Sequence, residues 1–443
     1  MSAGMEACFT DLATLLDGAL APGERYTAWF SGEESDFVRL NRGRVRQPGS
    51  VTQRRLRVRL IQGARHASAS LTLTGLPARD RADVLAALAM LREALPDLAD
   101  DPHLLLPTSV VSSQHERSGV LPPSAAIVEE VLAAAPGEDL VGLLAAGPAC
   151  RGFANSEGQR NWHAATTFNL QWSLYHRADK AVKSGYAGFA WDGGELARRM
   201  ADARDRLALI SRPPRSLDPG KYRAYLTPEA MNEIASLLCW GGFSGRALAT
   251  KQSALSRMRS GERLDPRVRM AEDIATGVAP SFQADGFARP GAIALIDEGA
   301  LVGSLVSPRT AREFGLDANG ANGEEMPEAL AIAPGDLPKN DALAALDTGL
   351  AIGNLWYLNY SDRPACRMTG MTRFATFWVE HGKVVAPINV LRFDDTIYRM
   401  LGANLEALTA ETELLLEPIT YGERDLKSLR LPGALVSEIS FTL

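Results

Sequence analysis

The sequence predicts an α+β chain in two parts, residues 1–215 and 216–443, joined at the Pro-rich segment SRPPRSLDPG (Ser211–Gly220). Three observations carry that expectation. From Val51 to Ile61 apolar and polar residues alternate, Leu56, Val58 and Leu60 against Arg55, Arg57 and Arg59, as in a strand with one buried face. Thr227-Pro228-Glu229 is a helix start: a hydroxyl cap, a proline at the first helical position and an acid in the first turn. Later, β-branched and aromatic runs at Thr369–Glu380 and Lys383–Leu391 flank His381-Gly382, which reads as a hairpin.

In chain order, Phe9, Leu12, Leu15, Leu16 and Leu20 recur at helical spacing and predict an opening helix. Short strands follow at Tyr26–Phe30 and Phe37–Leu40, then the alternating strand, a turn at Gln62-Gly63, and a strand at Ala67–Leu73. Helices are expected at Arg79–Leu95, Ala125–Ala134 and Glu195–Ile210. Leu140–Ala146 and Arg151–Asn155 read as separate strands, and the run from Trp162 to Leu174 as a strand with an aromatic face. In the second part a strand at Tyr222–Leu226 leads into the capped helix, whose buried side runs through Met231, Ile234, Ala235, Leu238 and Cys239. Strands at Ala292–Ile296 and Leu301–Val306 flank a turn at Glu298-Gly299, and Asn319–Gly335 reads as loop.

Composition narrows the function classes. The 443 residues are 46% hydrophobic, enough for packed cores, and no apolar run approaches the roughly 20 residues that span a bilayer. With no basic flank and cleavage site at the start, the expectation is a cytoplasmic protein with no membrane partner. Four cysteines lie far apart without a C-x-x-C pair, which fits reduced thiols. A net charge of −6 argues against direct nucleic-acid binding. The Arg54–Arg59 face then reads as solvation and edge protection in preference to a phosphate stripe.

The stretch Gly353–Phe393 is the densest in unlike side chains, and Asn359–Arg367 within it reads as a binding loop. Asp362, Arg367 and Arg373 are candidate readers of substrate termini or side chains, against a local ion-pair network that fixes the loop. Cys366 with His381 is a weaker candidate nucleophilic pair. Glu229 and Glu233 share a helix face and Asp394-Asp395 are adjacent, yet a solvated face and diverging side chains are the simpler readings. Six histidines form no His-x-x-x-His pair, and none lies between His176 and His381, which excludes a helical zinc motif there. No Gly-rich phosphate loop occurs.

Four segments in order, SDFVRLNRGRVRQPGSVTQRRLRVRLIQG, PSFQADGFARPGAIALIDEGALVGSLVSPRTAREFGL, TGLAIGNL and ATFWVEHGKVVAPI, resemble the TldD/PmbA family over nearly the whole chain. The resemblance implies an N-terminal α/β domain followed by a C-terminal, mainly antiparallel β domain. It also implies a paired peptidase in which one chain carries His-Glu-x-x-x-His on a helix and the other lacks it. Counted from Pro228, that motif falls near Ser236–Gly241, here Ser-Leu-Leu-Cys-Trp-Gly. The chain therefore resembles the metal-free, TldE-type half: no cofactor of its own, zinc in a TldD-type partner, and peptides or unfolded chains as substrates. A non-hydrolytic peptide-binding or modulator protein, and an enzyme using Cys366, are the alternatives.

Overall fold

A computed structural model describes residues 2–177 and 180–442. Two sheets organise them. The first holds β1 (Glu24–Asn41), β2 (Arg44–Gln62), β3 (Arg65–Thr72), β4 (Ser113–Arg117), β5 (Asp139–Asn155), β6 (Arg160–Arg177) and β7 (Lys180–Gly188). Its order is β3-β2-β1-β5-β6-β4, with β7 also on β6, and every pair is antiparallel except β4 with β6. Helices α1 (Ser2–Ala19) and α2 (Pro77–Ala94) bury Phe9, Leu12, Leu16, Val84 and Leu88 on one face. Helices α3 (Ser124–Ala134) and α4 (Gly193–Ile210) bury Ile127, Val131, Leu196 and Met200 over Phe168, Leu170 and Trp172. Each of these large side chains contributes about 1.5–3 kcal/mol by leaving water.

The second sheet is drawn from β8 (Gly220–Leu226), β9 (Met270–Glu272), β10 (Ile293–Asp297), β11 (Ala300–Leu301), β12 (Ala329–Ile332), β13 (Gly349–Ile352), β14 (Trp356–Asp362), β15 (Arg367–Met371), β16 (Thr376–Glu380), β17 (Lys383–Pro387), β18 (Arg392–Thr396), β19 (Leu405–Leu416) and β20 (Ser428–Phe441). The main path runs β11-β10-β9-β12-β20-β8-β13-β16-β17, while β14, β15 and β18 branch from β20 and β19 pairs with it. Most pairs are antiparallel; β12 with β20 and β8 with β13 are parallel. The fold is α+β, as expected. Helix α5 (Pro228–Cys239) packs its apolar side into the core of this sheet through Met231, Ile234 and Leu238. Three short helices, α6 (Gly245–Ala249), α7 (Pro308–Phe314) and α8 (Ala342–Leu346), sit in the connections.

The register of β2 is the expected one: Leu56, Val58 and Leu60 are buried. Its arginines, however, are not simply solvated. Arg59 pairs with Asp285 at 2.7 Å and Arg55 donates to the Gly422 carbonyl at 3.0 Å, so the stripe contacts the second part of the chain. The strands expected at Tyr26–Phe30 and Phe37–Leu40 are one long β1, and those at Leu140–Ala146 and Arg151–Asn155 are one β5, because the two pair with each other along most of their length. The two parts also share a core: Ala375 and Phe377, from the second sheet, pack among the α3 and α4 side chains. Arg424 enters the first sheet from the β19–β20 connection, donating to Thr167 Oγ1 at 2.6 Å, the Gly147 carbonyl at 2.9 Å and Ser35 Oγ at 3.3 Å.

Candidate functional site

Between the two sheets lies a cleft of two lobes, about 270 and 390 Å³, whose walls share Lys183, Ser184, Arg199 and Glu229. One wall is β7. Among the described residues this strand pairs only with β6, so its outer edge is open, and Ser184, Gly185, Tyr186 and Ala187 line the smaller lobe. The sequence of β7, KAVKSGYAG, mixes Lys, Ser and Gly and shows too little β-branched alternation to signal a strand.

The facing wall is α5. Thr227 caps it, its hydroxyl accepting from the Ala230 amide at 3.4 Å and donating to the Gly353 carbonyl at 2.8 Å. At the other end Tyr360 Oη donates to the Leu237 carbonyl at 2.9 Å and Arg363 to the Trp240 carbonyl at 2.7 Å. The Leu237 carbonyl also accepts from the Trp240 amide at 3.2 Å, and a cation at this end complements the helix dipole. The polar stretch that begins at Gly353 thus holds both ends of α5, which explains much of its density. Residues Glu229, Asn232, Glu233 and Ser236, at helical spacing, face the cleft.

Charge in the cleft is arranged in two ways. Arg199 is anchored by Glu195 at 2.6 Å, Glu413 at 2.8 Å and the Gly185 carbonyl at 2.9 Å, and Glu413 also takes Lys339 at 2.9 Å. Burial works against both charges, but their mutual attraction outweighs it, raising the Arg199 pKa and lowering that of Glu413. Glu233 differs. Burial holds its carboxyl above the usual range, Lys183 across the cleft offsets only part of this, and among the described residues it forms no hydrogen bond or ion pair.

The sequence-derived candidates lie elsewhere. Asp362, Cys366, Arg367 and Arg373 line neither lobe. Asn359–Arg367 is not an open loop but most of a hairpin, β14 turning into β15, with Asp362 accepting from the Ala365 amide at 3.1 Å inside the turn. Arg367 pairs with Asp394 at 3.1 Å, and Arg373 stacks over Trp356 at 4.1 Å from the ring centre. Cys366 is fully buried and its thiol is pushed up to about 12 by burial, whereas the His381 side chain is 92% exposed beside Asp347. That separation removes the Cys–His pair, since a nucleophilic thiol needs access and a depressed pKa. Asp394 and Asp395 diverge as expected, the second being buried and accepting from the Thr396 and Ser440 amides. The expected long strand Thr369–Glu380 is broken at Thr372–Ala375, where the chain passes from the β18 branch to the β13–β16–β17 path, and the turn at His381-Gly382 has positive φ at both residues, 49° and 73°.

The window Ser236–Gly241 offers no zinc site. Of its residues only Ser236 faces the cleft; Leu237, Leu238 and Cys239 are buried in the core, and burial raises the Cys239 thiol. Among the described residues no group of three or more His, Cys, Asp or Glu side chains is placed to hold a metal ion. The donor set on α5 does not fit zinc.

Residues 219–443 match the family model described as the PmbA/TldA metallopeptidase C-terminal domain. The chain belongs to the PmbA/TldD family. Its fold is shared with solved structures of low identity. TldE from Thermococcus kodakarensis aligns with a TM-score of 0.78 at 13% identity, covering 98% of this chain and 100% of that one. A candidate modulator of a DNA gyrase from Thermotoga maritima aligns at 0.75 and 13%, covering 99% and 100%, and another from Bacteroides thetaiotaomicron at 0.75 and 16%, covering 98% of each. No curated protein matches the chain. Within the PmbA/TldD fold, the cleft between the sheets brings a strand edge opposite carboxylate, amide and hydroxyl side chains.

Proposed function

We propose that this chain is the TldE/PmbA-type subunit of a heteromeric cytoplasmic zinc metallopeptidase. It shapes a cleft for an extended polypeptide while a TldD-type partner supplies zinc and the hydrolytic water. The single observation that carries the reading is the cleft itself, in which an open strand edge faces a helix that displays carboxylates, an amide and a hydroxyl but no imidazole. An extended peptide laid along β7 gains main-chain hydrogen bonds, and the α5 face and Phe377 of the larger lobe give side-chain selection. Residues 1–215 and 216–443 act as two domains that form the walls. In this reading substrate contacts move from Asp362, Arg367, Arg373 and Cys366 to the cleft, and the first three keep the hairpin fixed to its neighbours or present it to the partner.

The test is co-expression with a family member from the same genome that carries His-Glu-x-x-x-His. A stoichiometric, zinc-containing complex that cleaves unfolded polypeptide, beside an inactive isolated chain, is the expected result. Cleavage by the isolated, metal-stripped chain at the rate of the mixture would overturn it. The same lack of imidazoles on α5 also favours a second reading, a non-hydrolytic peptide-binding or modulator protein. Peptide binding without any zinc-bearing partner would select that reading.

A further inference from the structure

The smaller lobe contains polar groups that the fold leaves unused. Asn354 is 5% exposed, lines the lobe, and its side-chain amide forms no hydrogen bond among the described residues. Its donor and acceptor open onto the lobe and no group among the described residues holds them, so an occupant can take both. Beside it on the α5 face stand Glu229 and Glu233, neither in an ion pair or hydrogen bond among the described residues, while the nearby cations Arg199 and Lys339 are already committed to Glu195 and Glu413. Lys183 faces Glu233 from β7 without reaching ion-pair distance. The lobe therefore combines a spare amide, suited to a peptide group, with spare negative charge a short reach away, next to an open strand edge.

We propose that Asn354, Glu229 and Glu233 form a subsite that takes one basic residue, lysine or arginine, of the bound polypeptide. Asn354 hydrogen-bonds the main-chain amide of that residue, donating to its carbonyl and accepting from its N–H. The ammonium or guanidinium reaches Glu233, with Glu229 one helical turn away. A cation also relieves the desolvation that Glu233 bears in the empty lobe, so selectivity comes from a charge already set in place. This rests on the reading of the cleft as a polypeptide site and adds the class of side chain that it selects.

The experiment is fluorescence anisotropy with the full-length chain and two blocked, extended peptides that differ only in a central lysine or norleucine. The lysine peptide is expected to bind about ten-fold tighter or more, the scale of one hydrogen-bonded charge pair. Glu233→Gln should abolish the difference between the two peptides, and Asn354→Ala should weaken both alike. A thermal melt of each variant establishes that it is folded. Equal binding of the two peptides to the wild-type chain, or a preference that survives Glu233→Gln, overturns the subsite and leaves the cleft reading standing. Absence of binding by either peptide overturns both.

Discussion

Truncating Arg424 tests whether the cleft is held by contact between the two sheets. Its guanidinium is among the most buried charges in the chain: the residue is 6% exposed and donates to Thr167 Oγ1, the Thr167 and Gly147 carbonyls and Ser35 Oγ, with Glu33 nearby as the compensating charge. Burial lowers its pKa, Glu33 opposes that, and Arg151 adds repulsion. Arg424→Ala would leave these acceptors in a dry site and Glu33, 2% exposed, with only Ser35, Gln53 and the residue 424 amide as partners. Breaking one side of such a buried charged network costs about 3–5 kcal/mol. Arg424→Met keeps the length, removes the guanidinium desolvation and should cost less, about 1–2 kcal/mol. Urea unfolding followed by tryptophan fluorescence measures both, and limited proteolysis of the 417–427 segment reports whether the connection has left the sheet. An Arg424→Ala midpoint equal to wild type, with unchanged proteolysis, would refute the reasoning.

Other expected outcomes are more local. Asp101 accepts from the His103 amide, His66 and Arg309, which outweigh burial and hold its pKa down to about 2. Because the folded value lies below the unfolded one, its contribution, about 1–2 kcal/mol, is complete above the ordinary value of 3.8 and is lost as pH falls towards 2. Asp101→Asn should therefore flatten the acid limb of a stability–pH curve, and an unchanged limb would count against it. Glu233 has the opposite sign: its raised pKa makes its ionisation destabilising as pH rises through that value, so Glu233→Gln should melt slightly higher at pH 7, by less than about 1 kcal/mol, and no higher well below the carboxylate range. Cys150, Cys239 and Cys366 are buried and Cys8 is partly exposed, so a thiol reagent should titrate at most one of the four in the native chain and all four after unfolding. Cys366→Ala should bind peptide as wild type does and cost about 1 kcal/mol for the small void.

Much of the fold was legible where local chemistry and tertiary demand agree. The alternation at Leu56–Leu60, the Thr227-Pro228 cap and the His381-Gly382 turn each specify their own geometry, and each appears in place. The cleft was less legible because its parts are far apart in sequence and individually plain. β7 carries little strand signal, and Asn354 follows Gly353 at the start of the dense stretch, ahead of the Asn359–Arg367 segment that reads as a binding loop. β20, the strand on which the second sheet converges, contains Pro432-Gly433, which argues against a central strand; the structure places Pro432 opposite Thr412 beside a register shift of β19, where the ladder is already interrupted. Conversely, the richest stretch in the sequence, which reads as a binding loop, is built as the β14–β15 hairpin. Tyr360 and Arg363 are polar because they satisfy the carbonyls at the end of α5, a structural task that composition alone does not separate from binding.

The most direct test of the proposed role is metal content and peptidase activity of the chain purified alone and together with a family member that carries His-Glu-x-x-x-His. One zinc per complex, carried by the partner, with cleavage only by the complex, is the result expected of a subunit that shapes the cleft. Zinc bound stoichiometrically by this chain in isolation, together with cleavage of unfolded polypeptide, would contradict it.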